Sequence, residues 1–120
     1  MTLYEQIGKE RLKNIIYQFY DLVFINPKIG TLFKGEKVLI REKQIQFLTQ
    51  FLGGPQLYTE AHGHPKMRAR HLLHAITEEA KEEWLKCMKE AIYTEINDDD
   101  ELANALYLCF PQVANHMVNR

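Results

Sequence analysis

The chain has little of what would point to most other classes of protein. It holds two cysteines, Cys87 and Cys109, in 120 residues. That is too few for a disulfide scaffold, and their spacing fits no metal motif. They read as reduced, mostly buried thiols of a cytoplasmic protein. Charge of one sign is also lacking: 15 Lys plus Arg stand against 16 Asp plus Glu, a formal net charge of −1. Without a basic stripe or tail, binding to nucleic acid is not expected. No apolar stretch approaches the ~18 uninterrupted residues of a spanning helix, so no membrane partner is expected either. Glu5, Lys9, Glu10, Arg11 and Lys13 fall where a secretory signal would need an apolar run. Repeats, low-complexity tracts and linkers are missing. With 46% hydrophobic residues, the expectation is one folded domain spanning 1–120 around one core.

Strand signals are missing too, and the apolar periodicity is helical nearly throughout. Leu12, Ile15, Ile16, Phe19, Tyr20 and Val23 share one helix face, which Asn26-Pro27 ends. Ile40, Gln44, Phe47, Leu48 and Phe51 form a second face, stopped by Gly53-Gly54-Pro55. From Gly53 to about Pro65 the chain reads as a long loop, and a short helix follows from about Pro65 to His71. Thr77 with Glu78 and Glu79 opens the next helix, with Ala80, Trp84, Cys87, Met88 and Ala91 on its inner face. Asp98 to Asp100 opens the last, with Leu102, Leu106, Cys109, Phe110, Val113 and Met117 inward. Pro111 should kink that helix and release the carbonyl of Tyr107. The class is all-α.

Three of these faces carry a polar donor that a plain core does not need: Tyr20, Gln44 and Trp84. Singly, each reads as an ordinary core residue whose tip finds water or backbone. Together, on different faces of a small bundle, they point to a shared polar target in an apolar cavity. Five histidines raise a parallel question. A zinc site from His62, His64 and the pair His71 and His74 has no cysteine or acid at ligand spacing, and solvated loop histidines are the simpler reading of His62, His64 and His74. His71 differs, because Met67, Arg68 and Arg70 surround it. An imidazole there could ligate iron while nearby cations pair with anionic groups of the same cofactor.

The run Lys43-Gln-Ile-Gln-Phe-Leu-Thr-Gln-Phe-Leu-Gly-Gly-Pro55, then Leu57-Tyr-Thr-Glu60 and His62-Gly-His-Pro65, resembles the group II truncated haemoglobins. So do Tyr4-Glu-Gln-Ile-Gly8, Phe19-Tyr20, Arg68-Ala-Arg-His-Leu72, Trp84-Leu-Lys-Cys-Met88 and His116-Met-Val-Asn119, in the same order and at similar spacing. The resemblance spans nearly the whole chain. It implies a truncated globin, a two-over-two helical sandwich enclosing haem b, with His71 as the proximal iron ligand. Tyr20, Gln44 and Trp84 match the distal polar positions around a diatomic ligand. Phe33 matches an aromatic on the haem face, with Phe47 and Leu48 as further wall and Met67 beside it. Lys43 and Arg70 match positions facing the propionates, and Tyr58 matches a haem-contacting tyrosine. Ile40 departs from the family, which generally has a small or polar distal residue there; it cannot donate and narrows access to the pocket. Leu73, His74 and Pro111 also depart from the usual pattern.

The implied activity is tight binding of oxygen and other diatomic ligands, as a store, transporter, scavenger or sensor. The alternative is a redox enzyme that uses oxygen or peroxide for nitric oxide dioxygenation or peroxidase-like chemistry. That activity would call for a separate reductase, since no flavin or nicotinamide motif is present. A monomer or weak homodimer is expected.

Overall fold

The computed structural model describes residues 1–30, 37–63 and 77–118. Seven helices lie in these segments, and the described residues form no strand. We number them α1 (Leu3–Ile7), α2 (Lys9–Ile25), α3 (Lys37–Phe51), α4 (Leu57–His62), α5 (Glu78–Glu95), α6 (Asp100–Tyr107) and α7 (Pro111–Met117). α2 packs on α3 along one flank and on α5 along another; α5 packs in turn on α6 and α7, and α3 carries α4. The pair α2/α3 is thus laid over α5 and the α6–α7 segment, which gives the two-over-two arrangement.

Local chemistry sets the helix limits. Thr2 and Glu5 form a reciprocal capping box: Thr2 Oγ1 accepts from the Glu5 N–H at 3.1 Å and Glu5 Oε1 from the Thr2 N–H at 3.2 Å. Gly8, at φ +87°, then turns the chain from α1 into α2. All six residues expected on the inner face of α2 are buried. The helix ends where Asn26 Oδ1 accepts from the Lys28 N–H at 2.8 Å, a local turn just outside it. Thr77 Oγ1 caps α5 by accepting from the Ala80 N–H at 3.0 Å, and Asp99 caps α6 through Leu102 at 3.0 Å.

Three expectations need correction. Phe51 does not join the core: it is 43% exposed and stacks on Phe47, while Leu48, Thr49 and Leu52 turn inward. The burial line on α3 is therefore one residue further round than the apolar pattern suggests. Residues 53–65 are not all loop, since α4 occupies Leu57–His62. Gln50 holds α4 in place, its Nε2 donating to Thr59 Oγ1 at 2.7 Å and its Oε1 accepting from the Thr59 N–H at 2.9 Å. Finally, Pro111 starts a separate helix rather than kinking one. Its missing N–H costs nothing in a first turn. The Tyr107 carbonyl is not released either, because it accepts from the Phe110 N–H at 3.0 Å. The helix expected over 65–71 lies outside the described residues. Both thiols are unbridged as expected, Cys87 buried and Cys109 half-buried.

The end of α3 is locked by close backbone approach. The Tyr4 N–H donates to the Leu52 carbonyl at 3.0 Å, and the Gly54 N–H to the Thr49 carbonyl at 2.8 Å. A Cβ on Gly54 would stand 2.7 Å from Tyr4 Cδ2 and 2.8 Å from the Thr49 oxygen. Gly54→Ala should therefore destabilise the protein by about 1–3 kcal/mol in urea unfolding. Gly63→Ala, with nothing within 4 Å of its would-be Cβ but φ at +81° and ψ at −168°, should cost about 1–3 kcal/mol from backbone strain alone. A neutral Gly54→Ala would show that α1 is not seated on α3 as described.

Candidate functional site

Phe19 is fully buried on α2, and two of the polar aromatics stand edge-on to it. The Tyr20 ring lies 4.9 Å away at 73°, and the Trp84 ring 5.1 Å away at 71°. One phenyl group thereby sets the relation between a donor on α2 and a donor on α5. Phe24 flanks Tyr20 at 5.7 Å, and Phe110 flanks Trp84 at 5.8 Å. Tyr20 is 3% exposed, and burial pushes its phenol well above the ordinary tyrosine range. It is thus a neutral O–H group at any physiological pH.

Gln44 and Ile40 are half-buried one turn apart on α3. Neither the Gln44 amide nor the Trp84 indole N–H has a hydrogen-bond partner among the described residues. Further along α3, Phe47 meets Tyr58 edge-on at 5.7 Å, and Tyr58 meets His62 at 4.9 Å. Tyr58 is buried, so the pair forms an aromatic corner between α3 and α4. His62 is exposed but helical rather than in a loop, with Nε2 2.8 Å from Gln46 Oε1. Lys43 is exposed on α3, and Leu48 sits in the core at 2% exposure. Phe33, Met67, Arg70 and His71 lie outside the described residues.

The role of Phe19 is not readable from the sequence, where it is one more apolar position on its stripe. Its only sequence signal is that it adjoins Tyr20. The thiols fit the packing reading: burial raises both, against a weak contact from Asn26 to Cys87 Sγ at 4.0 Å.

This is an all-helical sandwich that groups aromatic walls and polar donors on facing helices. Comparison with known proteins gives the family. Residues 2–119 match the model for bacterial-like globins. The chain is 44% identical over 117 residues to a group 2 truncated haemoglobin of Bacillus subtilis, covering 98% of this chain and 88% of that one. It superposes with a TM-score of 0.92 on the X-ray structure of a truncated oxygen-avid haemoglobin from Bacillus subtilis, at 43% identity over 99% of this chain and 100% of that one. The group II truncated haemoglobin of Bacillus anthracis gives a TM-score of 0.93 at 39% identity, over 99% and 92% of the two chains. The chain belongs to the bacterial-like globin family, and within it to the group II truncated haemoglobins. Its cofactor is accordingly haem iron.

The described residues fit that group. Half-buried Phe47 and Ile40 offer aromatic and apolar surface, with buried Tyr58 edge-on behind Phe47; exposed Lys43 offers a cation for carboxylates, and the donors of Trp84 and Gln44 have no described protein acceptor.

The raised Tyr20 phenol has a consequence for stability. The folded chain holds this proton more tightly than the unfolded chain does. The contribution is therefore full below pH ~10 and is lost as pH rises beyond that value. Between about pH 9 and 11, the urea midpoint of the wild-type protein should fall more steeply than that of Tyr20→Phe. Equal slopes would place Tyr20 in contact with water.

Proposed function

We propose that this globin binds oxygen and other diatomic ligands tightly, with His71 as the haem ligand and Tyr20, Gln44 and Trp84 as hydrogen-bond donors to the bound molecule. Haem iron supplies an open coordination position for such a ligand. The protein supplies donors fixed in an apolar surround, where a hydrogen bond is stronger than in water and needs no reorganisation. The observation that carries this reading is the Phe19-centred pair: Tyr20 and Trp84, on different helices, both stand edge-on to one buried ring. Rings held that way keep their O–H and N–H directions at little further cost in entropy.

Each donor has its own task. Tyr20 stays protonated and offers a short O–H donor. Trp84 offers a rigid N–H, and Gln44 a flexible amide that can adjust to the ligand. Ile40, half-buried beside Gln44, excludes water and narrows access. Phe33, Phe47, Leu48, Tyr58 and Met67 pack against the macrocycle, and Lys43 and Arg70 face its propionates. The 1–120 span acts as one globin domain in the cytoplasm, as a monomer or weak homodimer. The described residues hold no helix long and apolar enough to cross a membrane. That the similar Bacillus subtilis haemoglobin is described as oxygen-avid accords with slow release.

A charge-assisted hydrogen bond contributes about 1.5–3 kcal/mol, and about 1.4 kcal/mol is tenfold in an equilibrium. Trp84→Phe should therefore raise the oxygen dissociation rate at least about tenfold, read by stopped-flow displacement. An unchanged rate would remove Trp84 from the donor set. His71→Ala should abolish stable haem incorporation. A normal five-coordinate ferrous spectrum in that variant would mean that another residue holds the iron.

A further inference from the structure

A second polar arrangement joins α2 to α3 beside these donors. Arg41, on α3, donates through Nη2 to Asp21 Oδ1 on α2. Its guanidinium carbon lies over the Tyr17 ring, 4.8 Å from the centroid, and Lys13 Nζ stands 5.7 Å from the same centroid. The Arg41 side chain is 15% exposed and that of Asp21 64%. Arg41 Nε is buried and has no acceptor among the described residues. A buried N–H without a partner costs free energy that an apolar side chain of similar length would not incur. Packing alone therefore does not explain a cation here.

Register supplies the explanation. Tyr17 and Asp21 are one turn apart on α2 and flank Tyr20 in sequence; Arg41 follows Ile40 directly and precedes Gln44 by three residues. The contact thus ties the turn that carries Tyr20 to the turn that carries Ile40 and Gln44. A guanidinium held at one nitrogen by Asp21 and lying over the Tyr17 ring is tied at two points, whereas an ammonium is a single point charge.

We propose that Arg41 is a positioning residue for the ligand pocket: clamped by Asp21 and Tyr17, it sets the spacing of Ile40 and Gln44 from Tyr20, and through it how fast a diatomic ligand escapes. This rests on the reading of Tyr20 and Gln44 as donors.

The test uses haem-loaded protein with carbon monoxide as a vibrational probe, comparing the oxygen release rate and the C–O stretching band. Arg41→Met and Asp21→Asn should each raise the release rate about two- to fivefold and broaden or split the band, with Arg41→Lys in between. Raising salt from about 0.05 to 1 M should move the wild-type protein the same way and leave Arg41→Met unmoved, because half of the pair is exposed to screening ions. Tyr20→Phe and Gln44→Leu serve as controls. If they change rate and band while Arg41→Met and Asp21→Asn match the wild type, the clamp is overturned and the donor reading stands. The clamp is overturned in the same way if Arg41→Met lowers only the melting temperature. If neither control has an effect, the donor reading fails and the clamp fails with it.

Discussion

The packing of α2 against α5 through Phe19 is the contact on which the rest of this molecule depends. A buried phenyl ring stabilises the fold by about 1.5–3 kcal/mol through area alone, but its larger effect is directional. Tyr20, its neighbour on α2, and Trp84, on α5, both meet it edge-on, so the group that closes the core also orients both rings. Any loosening of the α2–α5 contact would therefore move two proposed donors at once. The fully buried residues Ile16, Val23, Met88 and Ile92 on these two helices belong to the same core, leaving little freedom for such movement.

The two flanks of α2 are held differently. On the α2–α5 side, aromatic rings pack edge to face against the core. On the α2–α3 side, the tie is polar and partly exposed, through Arg41, Asp21 and Tyr17. α3 is also anchored at its far end, where Gln50 pairs with Thr59 and Tyr4 docks on Leu52. In the proposed reading Tyr20 and Trp84 are the donors on the first side, and Gln44 is the donor on the second.

Much of this is legible in the sequence, and the reasons are particular. The α2 stripe can be read in full because all six of its residues obey one period. Thr77 marks the start of α5 because a hydroxyl followed by two acids suits the positive end of a helix. Tyr20, Gln44 and Trp84 stand out as donors where a core needs none, and the gapped motifs around them point to the family. Other features depend on three-dimensional contacts. Phe51 turns outward while Leu48, Thr49 and Leu52 are buried, because tertiary packing, which no local pattern records, decides which side of α3 faces the core. Helix α4 is hidden in the sequence because Gln50, seven residues before it, supplies the contact that orders it. Pro111 suits a kink and a first turn equally well; only the hydrogen bond from Phe110 to Tyr107 decides between them. The Asp21–Arg41 contact links positions 20 residues apart and has no sequence signature.

The most direct test of the central claim is to titrate the purified chain with haem, reduce it, and follow its absorption on exposure to oxygen. One haem per chain and a long-lived oxygen complex in the ferrous state are the results that this account predicts. Failure to take up haem, or a ferrous form that oxygen oxidises at once, would contradict it. In either case the helical sandwich would stand, but its donors would need another purpose.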